Sequence, residues 1–158
     1  MATDPVSGHP LLFGGDNTTA NCDVSCLALE KQTWEWTGST WQQQSPASSP
    51  SAREFASLAA TAGATSGSLV LFSGLNGVTT GPQGNQTNTE SLQGDTWTWK
   101  GGNWVQQSPA TKPPALYGAT MPDSPVAGHY TVLTGGYTGA VTGSLTTYSW
   151  TGSTWASG

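Results

Sequence analysis

The chain has 158 residues, enough for one domain with a sizeable core. Four Lys or Arg against nine Asp or Glu leave a net charge of −5, and the cations Lys31, Arg53, Lys100 and Lys112 are dispersed, so no basic patch is available to nucleic acid. No run approaches the roughly 20 apolar residues of a membrane-spanning helix, and the first residues have neither the basic start nor the apolar stretch of a signal peptide, so membrane insertion is not expected.

In chain order, 1–3 reads as the remnant of an edge strand, and those first residues fit a mature chain, a fragment or a truncated reading frame alike. Leu11-Leu12-Phe13-Gly14-Gly15 follows as a buried strand stopped by glycine. A polar loop then leads to Thr33-Trp34-Glu35-Trp36-Thr37-Gly38-Ser39-Thr40-Trp41, a strand, a glycine turn and the start of a second strand. Gln43-Gln44-Ser45-Pro46-Ala47 closes the unit as a link stiffened by proline.

The whole series then returns. A short strand over 55–61 precedes Leu69-Val70-Leu71-Phe72-Ser73-Gly74, then Thr96-Trp97-Thr98-Trp99-Lys100-Gly101-Gly102-Asn103-Trp104, then Gln106-Gln107-Ser108-Pro109-Ala110. A strand over 117–121 precedes Val132-Leu133-Thr134-Gly135-Gly136, and Thr147-Tyr148-Ser149-Trp150-Thr151-Gly152-Ser153-Thr154-Trp155 ends the series. The motif recurs after 63 and then 51 residues, so the motif is rigid and the insertions fall in loops. One domain over 1–158 is expected, all-β, with three four-stranded antiparallel units over about 1–47, 52–110 and 115–158, the first partly truncated.

The tryptophans at i and i+2 of the third strand face one side, and the third tryptophan lies across the hairpin to pack on the same face and cover the neighbouring unit. Trp34, Trp36, Trp41, Trp97, Trp99, Trp104, Tyr148, Trp150 and Trp155 are therefore the expected repeat core. Each buried Trp removes about 150–250 Å² from water, roughly 4–6 kcal/mol gross.

Together the apolar-Gly-Gly strand, Asp95-Thr96-Trp97-Thr98-Trp99, the glycine turn to Trp104 and the Ser-Pro-Ala-x-x-Pro link resemble the bacterial kelch repeats related to the galactose oxidase central domain. The resemblance spans nearly the whole chain. It implies kelch-type β-propeller blades. The chain departs from the family at the entry to the first strand of each unit, where Arg53 occurs once, Leu116 takes its place in the third unit, and no His follows. Three blades leave two open blade faces, which implies self-association, as a homodimer giving six blades or as a filament, or a place within a longer propeller.

The second-to-third-strand loops vary most and share one end of the units with the proline links. The segment 77–94 is the longest, and Asn17, Asn76, Gln83, Asn85 and Tyr137 are the candidate ligand contacts on that end. Cys22 and Cys26 read as a disulfide; a metal pair is the weaker reading, because no second ligand pair lies nearby. Asn17-Thr18-Thr19 and Asn85-Gln86-Thr87 are glycosylation sequons, which fits a secreted or cell-surface protein. His9 and His129 occupy matching turns and read as turn residues with no acid recurring beside them. Glu35 and Asp95 lie inside the repeat, and their plain reading is solubility and turn-making.

No constellation for catalysis, metal or cofactor is legible: the carboxylates are scattered, and neither a phosphate loop nor a Ser–His–acid order is present. The expected function is an extracellular binding or adhesion module for glycan or protein. The alternative is a structural subunit assembling through its open faces, and an enzyme of the galactose oxidase kind, an expectation resting on family likeness only, comes last.

Overall fold

The computed structural model describes residues 1–17, 29–61, 67–80, 87–122, 131–138, 143 and 146–158, and among these the fold is all-β, without a helix. Sheet 1 is the meander β1 (Ala2–Thr3), β2 (Pro10–Asp16), β3 (Leu29–Trp36) and β4 (Trp41–Gln44). Sheet 2 pairs β5 (Ser57–Ala60), β6 (Leu69–Phe72), β9 (Thr96–Lys100) and β10 (Asn103–Gln107) in that order; between β6 and β9 a separate ribbon of β7 (Leu75–Thr80) and β8 (Thr87–Leu92) is inserted. Sheet 3 pairs β11 (Thr131–Leu133), β12 (Tyr148–Trp150) and β13 (Trp155–Ser157). In place of a first strand, the described residues of sheet 3 show the bridges Thr120↔Thr134 and Tyr117↔Tyr137.

The last two strands of each sheet pair in the same register. Trp36 lies opposite Trp41, Trp99 opposite Trp104 and Trp150 opposite Trp155, with ring centroids 5.5, 5.3 and 5.2 Å apart. Alternation of side chains then sorts the faces. Leu11 and Phe13 of sheet 1 meet Leu69, Leu71, Trp99 and Trp104 of sheet 2 in one core cluster. The opposite face of sheet 2, with Ala59, Val70 and Phe72, meets Leu116, Met121, Leu133, Trp150 and Trp155 in the other.

The same contact is made twice. The Trp104 ring stands edge-on to Phe13 at 5.2 Å, and its Nε1 donates to Thr33 Oγ1 at 2.9 Å. One sheet later the Trp155 ring sits 5.2 Å from Phe72, and its Nε1 donates to Thr96 Oγ1 at 3.0 Å. Burying an indole in this way satisfies its one polar atom, which removes the main cost of placing Trp in a core. The links repeat as well: Ser48 Oγ donates to Trp104 O, and Thr111 O accepts from Trp155 N.

Three sequence expectations change. The first apolar run does not stop at glycine: β2 continues to Asp16 through a bulge between Phe13 and Gly15. The segment 77–94, read as a loop, is largely the β7–β8 ribbon, whose ladder is a matter of backbone pairing and needs no apolar face. The tryptophans are not equally buried either. Trp99, Trp104, Trp150 and Trp155 are at most 3% exposed, Trp34, Trp36 and Trp97 are half-buried, and Trp41 is 38% exposed on the outward face of sheet 1.

The bulge also sets a requirement for glycine. Gly14 has φ +66°, and a Cβ there would lie 2.5 Å from the carbonyl oxygen of Arg53. Gly14→Ala is expected to destabilise the protein by about 2 kcal/mol through backbone strain and overpacking, measurable as a lower urea midpoint at unchanged slope.

Candidate functional site

Register fixes which residues share the end of the sheets that bears the ribbon. Ser57, Phe72, Thr96 and Gln107 lie side by side across sheet 2, so the entry to β5, the β7–β8 ribbon, the start of β9 and the end of β10 are all at that end. The entries to sheets 2 and 3 are stitched there by backbone hydrogen bonds. Gly15 N donates to Arg53 O (2.9 Å), Gly74 N to Leu116 O (2.9 Å) and Gly118 N to Phe55 O (3.1 Å), while Tyr117 and Tyr137 exchange both of theirs.

On this stitched backbone stand three aromatic side chains in a row. Phe55 and Tyr117 have ring centroids 6.2 Å apart, and Tyr117 and Tyr137 5.5 Å. Phe55 is 59% exposed and Tyr137 46% exposed. Phe55 also holds φ +52°, a left-handed conformation that costs a non-glycine residue about 1–2 kcal/mol. The matching place in sheet 3 is filled by Gly118 at φ +66°. A bulky apolar ring is thus kept in water on a strained backbone at a position where the repeat elsewhere uses glycine.

An ion pair joins the entry to β5 to the start of β9, its arginine buried and its aspartate half-buried. The Arg53 side chain is fully buried; its Nη1 and Nη2 reach Asp95 Oδ1 and Oδ2 at 2.5 and 2.9 Å, and Ser51 and Ser73 take its remaining donors. Burial alone would push the Asp95 carboxyl up; the Arg53 hydrogen bonds, the Trp97 indole at 2.7 Å and the Arg53 charge outweigh it and hold the group below the ordinary aspartate range. The plain sequence reading of Asp95 as a solubility and turn residue is therefore replaced by an anchor that fixes the entry to β5 against the start of β9. A signal was present: sheet 3 has Leu116 and Thr146 at the two positions, so the partners are replaced together.

At the outer side of the same end, two depressions repeat between the third strand and the proline link. One, of about 630 Å³, is lined by Asp95, Gln106, Gln107, Lys112 and Pro113; the other, of about 520 Å³, by Gln32, Gln43, Gln44, Ser49 and Pro50. Side-chain amides, hydroxyls and proline rings make up most of their walls, with one lysine in each, Lys112 and Lys31, and Asp95 in the first.

Of the residues expected at the site, Tyr137 is in the aromatic row, Asn76 is the second residue of the ribbon, next to Leu75 of the Glu54–Leu75 bridge, and Asn17 is exposed at the end of sheet 1 with its Nδ2 3.5 Å from Glu30 Oε1. Gln83, Asn85, Cys22, Cys26 and His129 lie outside the described residues. Phe55 and Tyr117 were missed. His9, read as having no acid beside it, has Nδ1 3.1 Å from Glu35 Oε1, a cross-strand pairing that the sequence spacing of 26 residues hides. Among the described residues no three His, Cys, Asp or Glu gather as metal ligands.

No protein-family model matches the chain, and no curated protein matches it either.

Proposed function

We propose that this protein is an extracellular binding module, its sheets the blades of a kelch-type propeller, and that it recognises neutral carbohydrate on the end of the sheets that carries the ribbon and the proline links. The observation that carries the reading is the row Phe55–Tyr117–Tyr137, an exposed apolar strip bordered by two phenol hydroxyls. Sugar rings offer C–H faces to such a strip and hydroxyls to its polar border, the division of labour seen in small-molecule sites generally. The low charge of the chain, 8% of residues, gives the surface little hold on ionic ligands. Amide-rich depressions beside the strip extend the surface available to a longer glycan.

Strain at Phe55 separates a binding role from a structural one. Phe55→Gly relieves the left-handed strain and removes an exposed ring, while the added freedom of the unfolded chain works against it, so stability is expected to stay within about 1 kcal/mol of the parent. Affinity for neutral oligosaccharides of glucose, xylose or N-acetylglucosamine is expected to fall at least tenfold, and Tyr137→Ala to act alike. Isothermal titration beside a thermal melt checks both. A variant that melts much lower yet binds as well as the parent would reverse the assignment.

A further inference from the structure

Sheet 1 turns Leu12, Trp34, Trp36, Trp41 and Gln43 away from sheet 2, because Leu11 and Phe13, their neighbours in the alternation, face it. These positions match Leu71, Trp97, Trp99, Trp104 and Gln106, the side of sheet 2 that packs on sheet 1. On sheet 3 the corresponding outward side carries Val132, Thr134, Thr147 and Ser149, because Leu133 and Trp150 face sheet 2. Thr147 stands where Thr33 and Thr96 accept the indole hydrogen bonds of Trp104 and Trp155. The molecule therefore bears one half of its own internal interface on each outer face.

We infer that sheet 1 of one copy docks on sheet 3 of a second copy, head to tail, with Trp41 Nε1 donating to Oγ1 of the partner's Thr147. The occupant is a second copy because the contact continues an interface the chain already makes twice, with the same ring, the same donor and the same hydroxyl acceptor. One element differs. Thr134 replaces the phenylalanine of Phe13 and Phe72, so the docked Trp41 gains no aromatic contact and the association is weaker than the internal packing. The interface is heterologous, so two copies either close a ring of six sheets or continue as an open chain.

Sedimentation equilibrium of the 158-residue protein over a range of concentrations tests this. The mass is expected to rise from 16.3 kDa as concentration increases, levelling at twice that value for a ring or growing further for an open chain; either carries the interface. Trp41→Glu destroys only the face of sheet 1, and Thr134→Arg only that of sheet 3, so each alone is expected to self-associate at least tenfold more weakly. Mixed in equal amounts they retain one intact pair of faces and form a two-chain species and nothing larger. Near-UV circular dichroism verifies folding, and Gln43→Arg and Ser149→Arg replace any variant that fails to fold. A parent that stays at 16.3 kDa throughout overturns the inference and leaves the faces to a further sheet or a different protein. Undiminished self-association of Thr134→Arg, or a mixture that forms no two-chain species, overturns the head-to-tail geometry.

Discussion

Replacing Trp104 with Ala is expected to lower the unfolding free energy by about 3–5 kcal/mol, whereas Trp41→Ala, at the same place in the preceding sheet, costs less than about 1 kcal/mol under dilute, monomeric conditions. The indole of Trp104 is fully buried between Phe13 and Trp99, and its removal leaves a cavity and strips the buried Thr33 hydroxyl of a partner. Trp41 has the equivalent hairpin partner, Trp36, but is 38% exposed, and among the described residues no sheet covers its outward face. Urea titrations of the two variants, fitted with a common slope, give the contrast directly. Equal costs would mean that the hairpin pair, rather than the contact between sheets, holds the tryptophan.

Asp95→Ala is expected to cost about 3 kcal/mol, because it leaves the fully buried Arg53 guanidinium without its counter-charge. Arg53→Leu together with Asp95→Thr copies the residues that sheet 3 uses, Leu116 and Thr146, and is expected to recover most of that loss. The pH dependence follows from the same pair. The folded-state pKa of Asp95 is depressed below its unfolded value near 3.9, so its contribution is fully present above about pH 5. It is lost as the pH falls past the unfolded value and through the lower folded one. Stability curves of the parent and the double variant should therefore converge in acid. Parallel curves down to low pH would remove the ion pair from the account of acid stability.

Much of the architecture was legible because the Trp-x-Trp-x-Gly-x-x-Trp spacing fixes a hairpin register, and the register in turn fixes which face each ring occupies. Trp36 opposite Trp41, Trp99 opposite Trp104 and Trp150 opposite Trp155 follow from that alone. Burial did not follow, since it depends on whether another sheet covers the face, and sequence spacing carries no information about that for Trp41. The ribbon was illegible for a different reason: Thr, Asn, Gln and Ser in alternation leave no apolar period to read, and the pairing of Leu75–Thr80 with Thr87–Leu92 rests on backbone hydrogen bonds. The strip at the candidate site comes from three separate stretches. Phe55 and Tyr117 meet only because the entries to sheets 2 and 3 are joined by the Gly118–Phe55 hydrogen bond, and Tyr137 was found because it stands beside a glycine-ended strand in a loop.

The most direct test of a carbohydrate-binding strip is a titration of isotope-labelled protein with neutral oligosaccharides of glucose, xylose and N-acetylglucosamine, followed through the aromatic ring resonances. Saturable shifts confined to Phe55, Tyr117, Tyr137 and their neighbours are the expected result. Shifts centred on Trp34, Trp36 and Trp41, or none with any of the three sugar types, would contradict it.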